Sequence, residues 1–150
     1  MSKLEETREP SSNLDDVGKP RLHRWIERFL TYEPIGRKGA TYLDRWVLAR
    51  FGERRLYLHH FRFDDPEEPH NHPRTFVSFL FWGSYEEHVL QSDGSLQTRQ
   101  IRAPHLRRFP PEHAHRIQKC AGAWSLVLVG RRRQDWGFLS DDGWNPPEAP

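Results

Sequence analysis

The chain has 150 residues, of which 23 are basic and 21 acidic, for a formal net charge of +2, and 13% are aromatic. So close a balance excludes a protein held to nucleic acid by bulk charge, while the length suffices for one domain with a real core. Cys120 is the only cysteine, which excludes an intrachain disulfide or a thiolate metal cluster and fits a reducing, cytoplasmic location.

Residues 1–20 mix Ser, Asn, Asp, Glu and Lys with almost nothing to bury. They read as a disordered arm and lack the apolar core of a signal peptide or membrane anchor. From Arg21 to Leu30 the residues Leu22, Trp25, Ile26, Phe29 and Leu30 recur at helical spacing, which predicts a short amphipathic helix packed on the outside of a domain spanning 21–150. Beyond Gly36 and Gly39 the pattern becomes extended. Tyr42 to Phe51 and Arg54 to Phe63 read as strands around a Gly52-Glu53 turn, and Thr75 to Trp82 as a strand buried on both faces. Tyr85 to Gln91 and Leu96 to Arg102 flank the hairpin signal Ser92-Asp93-Gly94-Ser95. His105 to Phe109, His113 to Lys119, Trp124 to Val129 and Gln134 to Leu139 are further short strands. Many short strands with regular turn signals predict an all-β sandwich or barrel. No apolar run reaches the length of a transmembrane helix, so no membrane is expected as a partner.

Two segments carry chemistry: Pro69-His70-Asn71-His72-Pro73 and Pro110-Pro111-Glu112-His113-Ala114-His115. In a strand, side chains i and i+2 share a face, so His70 and His72 would present two imidazoles side by side. With 9 histidines in the chain, one His-x-His pair arises by chance roughly half the time, and two occur here, each at a proline-marked strand entry. His115 is the candidate third ligand, completing a facial set that leaves positions open for water, substrate or dioxygen. His113 shares the face of His115 and is read as a substrate contact or as a hydrogen-bonding support for a ligand. Tyr85 and Glu87 share a face just beyond Gly83 and are further candidates for orienting substrate. Of His59 and His60 at most one lines a barrel, and both read as structural. Arg74 or Arg116 could bind a carboxylate or phosphate bidentately. The clusters Arg54-Arg55, Arg107-Arg108 and Arg131-Arg132-Arg133 read as solvated strand ends.

The two histidine motifs resemble those of the cupins. The first cupin motif has His-x-His, a Glu four or five positions on, and a later Gly that Gly83 matches; Phe76 and Val77 stand at the Glu positions. The second, Pro-x-Gly-x-x-His, is matched by Pro110 and His115, with Glu112 in place of the Gly. Tyr57-Leu58-His59-His60-Phe61, Gly83-Ser84-Tyr85 and Trp136-Gly137-Phe138 are similar to a group of small bacterial and phage cupins, in which Asn71 and Arg74 would be Asp and Trp. The resemblance implies a jelly-roll barrel over most of residues 41–140. The missing Glu implies a three-histidine set like that of thiol dioxygenases, holding one divalent metal ion. Fe(II) is the expected metal, with Zn, Ni, Mn and Cu as alternatives, and Glu86 or Glu87 could reach in as a fourth ligand. The expected function is an Fe(II) dioxygenase or oxygenase acting on a small molecule that chelates the metal. The alternatives are a non-redox isomerase, epimerase or lyase, or a barrel that only binds a small ligand. Nucleic acid is not an expected partner, and dimers are common among such barrels, which puts a homodimer within expectation.

Overall fold

Twelve strands account for most of the structure, a computed structural model that describes residues 22–146 apart from 24, 25, 27, 28, 38, 39, 66, 67, 121, 141 and 142. They are β1 (Thr31–Tyr32), β2 (Ile35–Arg37), β3 (Ala40–Phe51), β4 (Arg54–Phe61), β5 (Arg74–Trp82), β6 (Ser84–Leu90), β7 (Leu96–Arg102), β8 (His105–Phe109), β9 (His115–Gln118), β10 (Trp124–Arg132), β11 (Phe138–Ser140) and β12 (Gly143–Asn145). The expected arm lies outside the described residues, as does half of the expected helix. Among the described residues of that segment, Ile26 and His23 are buried while Leu22 and Phe29 are exposed. No helix of the described residues is long and apolar enough to cross a membrane.

One sheet runs β1-β3-β4-β10-β5-β8, with β2 also on β3, and a second runs β7-β6-β9. Isolated bridges join His70 to His115 and to Phe138, so the histidine segment links the edge of the second sheet to the β11-β12 hairpin. The two sheets close a barrel. Its floor is an apolar cluster of Leu80, Tyr85, Ile101, Ile117 and Ala123, against which Phe61 and Cys120 pack. Burial raises the Cys120 thiol, which keeps it protonated and unreactive.

β5 departs from its expected burial on both faces. Its inward residue Leu80 is buried, but Phe79, Phe81 and Trp82 are exposed. A continuous apolar run cannot report on its own whether a second layer covers the outer face. Here Phe79 pairs with Leu126 on β10 and with Leu106 on β8, forming an outward apolar stripe.

The outer face of β3 and β4 is instead closed by a polar cluster. Asp44 is fully buried and accepts hydrogen bonds from the Tyr32 hydroxyl at 2.6 Å, Arg62 Nε at 2.6 Å and His60 Nδ1 at 3.2 Å. His23 Nδ1 lies 3.3 Å from the same carboxylate, and Trp46 stacks on Trp124 beside it. Burial by itself would raise the Asp44 pKa; the hydrogen bonds from His60, Arg62 and Tyr32 outweigh it and hold the carboxyl well below the usual range. A carboxylate held ionised contributes stability that is complete above its unfolded pKa of about 3.9 and fades as pH falls below that value. Asp44→Asn strips Arg62 of its counter-charge inside this cluster and should cost about 3–5 kcal/mol at pH 7 in urea unfolding. The gap between variant and wild type should narrow below about pH 4.

Candidate metal centre

His70, His72 and His115 come from two segments that no local rule brings together. What joins them is a pair of backbone hydrogen bonds, His70 N–H to His115 O at 3.0 Å and His115 N–H to His70 O at 3.1 Å. That antiparallel bridge sets the β9 histidine beside the His-x-His pair. Asn71, between the two, points away and accepts the Gly137 N–H through its side-chain oxygen at 2.8 Å, while its own N–H reaches Gly137 O at 3.1 Å. Gly137 has no room for a side chain, since a Cβ there would stand 2.2 Å from Asn145 O. Gln134 bonds the carbonyls of His72 and Pro111 and ties the two motifs at a second point.

The nitrogens of the three histidines lie within 4.8 Å of one another and form a group that could hold a metal ion. His72 Nε2 and His115 Nε2 are 2.9 Å apart. Two imidazoles bound at about 2.1 Å on adjacent positions of one ion would stand about 3 Å apart. The protonation states suit a cation as well. Burial pushes His115 down to about 4, against the opposing pull of Glu87, and burial followed by the neighbouring histidines holds His72 well below its usual value. Both rings are neutral near pH 7 and offer lone pairs.

Glu87 fixes which nitrogen does so. Its Oε1 lies 2.8 Å from His115 Nδ1, and an ionised carboxylate can only accept, so Nδ1 carries the proton and Nε2 the lone pair. Glu87 is fully buried and also takes His113 Nε2 at 2.8 Å and the Arg107 guanidinium. Burial would raise its pKa; the bonds from His113 and His115, with the Arg107 charge, overcome that and keep it ionised. On a second of the three rings, His70 Nδ1 lies 3.4 Å from both the Glu68 carbonyl and the buried Asp65 carboxylate. Two of the three rings are thus backed by carboxylates, the arrangement that orients metal-bound histidines and raises their basicity.

The rings open onto a cavity of about 610 Å³ inside the barrel, the size of a small-molecule site. Tyr85 lines it, as its face in β6 predicts. Burial, then the Glu87 charge, keeps its phenol protonated at any physiological pH. Glu87 and His113, expected as substrate contacts, do not line the cavity: His115 lies between it and Glu87, and His113 bonds Glu87 from behind. Alternation along β6 places Glu87 inward, but the space above it is filled by the ring it supports. Glu86 faces outward to Lys119, Gln100 and His88, away from the three histidines. Arg116 also turns outward, its Nε 3.4 Å from His88 Nδ1.

Several residues carry more than their sequence context suggested. Arg107, read as a solvated strand end, lies over the Phe109 ring at 4.8 Å and serves as counter-ion to Glu87. Its alternation partner Phe109, inward on β8, was the available signal. His59 lines the cavity whereas His60 joins the Asp44 cluster, so the doublet splits between the two faces. Burial, then the charge on Arg45, pushes His59 down to about 3. Trp136 lines the cavity; Trp144 is exposed.

No family model matches the chain, and no curated protein matches it in sequence. Solved structures do match its fold. A cupin 2 conserved barrel domain protein from Rhodopseudomonas palustris is 13% identical, with a TM-score of 0.57 over 77% of this chain and 81% of that one. The Fe(II) form of HppE is 13% identical with a TM-score of 0.54 over 68% of this chain, which spans only 56% of the HppE chain. The DMSP lyase DddQ from Ruegeria pomeroyi is 15% identical with a TM-score of 0.56, covering 76% of this chain and 63% of that one. The chain has the cupin fold. Within that fold it carries a three-histidine group able to hold a metal ion.

Histidines kept neutral by burial make the metal-free protein acid-sensitive. Their folded pKa values lie below the unfolded value of about 6.5, so stability is complete above that value and is lost as pH falls toward the folded pKa. Between pH 7 and 5 this costs roughly 2 kcal/mol for each of His59 and His115. Urea unfolding of metal-stripped protein should show that slope, and His59→Gln or His115→Gln should each flatten it by about one proton.

Proposed function

We propose that this protein is a mononuclear metal-dependent enzyme that binds one divalent ion through His70, His72 and His115 and acts on a small molecule in the barrel. Fe(II) is the metal we assign and a dioxygenase or oxygenase the reaction class. The observation that carries this reading is the convergence of His72 Nε2 and His115 Nε2 at 2.9 Å on the cavity wall, with the Nδ1 of His115 committed to Glu87. Iron bound there would supply one-electron chemistry with dioxygen, and an all-imidazole set leaves it open positions. The chain's own groups do the rest. Glu87 and Asp65 hold two of the rings in place, and Arg107 keeps Glu87 ionised. Phe76 packs against His72 at 4.8 Å and Phe109 against His115 at 5.4 Å, which shields the rings from bulk water. Tyr85 remains a hydrogen-bond donor toward whatever occupies the cavity.

The fold neighbours support more than one chemistry, since an Fe(II) structure of HppE and a DMSP lyase are both among them. One fold hosts many reactions, so a non-redox lyase or isomerase is the second reading. The engagement of the carboxylates that line the cavity weighs against it: Asp65 faces His70, and Glu33 pairs with Arg45 and Arg50.

Elemental analysis of protein purified without added metal or chelator should find near-stoichiometric iron, lost in His72→Ala and His115→Ala, with oxygen uptake in a substrate screen following the iron. Zinc or nickel retained by the same histidines would move the assignment to the non-redox reading. A protein that binds no metal even after reconstitution would sink both. Glu87→Gln should keep the fold but lower metal affinity about 10–100-fold, read by competition with a chromogenic chelator.

A further inference from the structure

What kind of molecule enters the barrel is written in the charges around its mouth, and the inference drawn from them rests on the cavity being the substrate site. Arg55 pairs across β4–β10 with Val129, and Val129 across β10–β5 with Phe76, so Arg55 and Phe76 stand in one row on the inner wall. Phe76 is the ring packed on His72, which puts Arg55 at the level of the three histidines. Arg74 begins β5, two residues from His72, and lines the same cavity.

The two guanidiniums are drawn to one place. Arg55 Nη1 donates to the Gly52 and Arg54 carbonyls, and Arg74 Nη1 donates at 2.9 Å to each of the Glu53 and Gly130 carbonyls. Both therefore gather at the Gly52-Glu53 turn. Carbonyl acceptors satisfy N–H groups without cancelling charge. Among the described residues no carboxylate pairs with Arg55 or Arg74: Glu33 is taken by Arg45 and Arg50, Asp65 faces His70, and Glu53 turns outward to Arg131 at 4.0 Å. Two half-buried like charges held together without a counter-ion repel each other, and an anion between them relieves that repulsion.

We propose that Arg55 and Arg74 form an oxyanion subsite, and that the substrate is an organic anion whose carboxylate or phosphate-type group docks there. Each guanidinium uses one nitrogen on backbone carbonyls, and the remaining N–H groups form the fork that binds two oxygens at once. Docking at this level of the barrel holds the rest of the molecule against His70, His72 and His115. The subsite makes the protein selective for charged substrates over neutral isosteres.

Calorimetric titration of the full chain, stripped of metal by chelator, tests the subsite apart from the metal. The probes are inorganic phosphate and succinate, with succinamide as the uncharged counterpart. Saturable millimolar binding of one or both anions is expected, and none of succinamide; whichever anion binds tighter identifies the head group. Arg55→Gln and Arg74→Gln should each weaken binding about tenfold and the double variant should abolish it. Arg74→Lys, which keeps charge but loses the fork, should fall between wild type and Arg74→Gln. Arg131→Gln, an exposed arginine outside the cavity, should bind as wild type does. Melting curves in phosphate report on folding and binding together: wild type should be stabilised progressively, and the double variant should melt cooperatively without that gain. Binding unchanged in the double variant, or no binding of either anion to wild type, would overturn the subsite while leaving the metal-content result to decide the metal reading independently.

Discussion

Two reciprocal backbone hydrogen bonds between His70 and His115 are the constraint on which the rest of the molecule depends. They extend the β7-β6-β9 sheet by one more strand-like segment, and through Phe138 they tie it to the last hairpin. The same two bonds place a histidine from each motif on one patch of the inner wall. Closure of the second sheet and assembly of the candidate metal centre are therefore a single event. The surrounding details serve that bridge: Asn71 and Gln134 brace the segment on both sides, and Gly137 leaves room for the hairpin to lie against it.

Among the described residues two carboxylates are fully buried, Asp44 and Glu87, and both are handled alike. Asp44 on the outer face is met by Arg62, Tyr32 and two histidines; Glu87 on the inner side is met by Arg107 and two histidines. A buried charge is tolerated only when its lone pairs are filled and a counter-charge lies close. The consequences differ because of what lies beyond the histidines. Behind the Asp44 cluster are the rings of Trp46 and Trp124, so that network locks the outer face. In front of Glu87 is His115 and then the cavity, so that network orients a ring toward open space. Each set groups histidines with a carboxylate, but only His70, His72 and His115 converge on the cavity, with Glu87 placed behind His115.

Charge inside the cavity is asymmetric. The acidic groups that reach its wall are spent on cations or on a ring, while Arg55 and Arg74 keep their charge. A cavity whose His72 and His115 rings are neutral and whose mouth is cationic is electrostatically prepared for an anion. The catalytic reading and the substrate reading thus meet in one volume, yet they rest on different residues.

The sequence by itself determined the elements whose evidence is local. Short strand-like runs between turn signals located β7 and β8 to the residue, the Gly52-Glu53 and Asp93-Gly94 turns delimited their hairpins, and His-x-His spacing marked one chemical face. It also recorded that Phe76 and Val77 stand where the motif it resembles has a Glu. Tertiary structure decided everything that depends on which strand lies beside which. The cross-strand register put His115 on His70, seated His115 over Glu87, turned Arg107 inward as its counter-ion, and left the outer face of β5 uncovered. It split His59 from His60 and drew Arg55 and Arg74 to one turn from positions nineteen residues apart. Periodicity along a strand is set by its own backbone, so a sequence can show it. Partnership between strands is set by the closed sheet as a whole, and only the folded chain displays it.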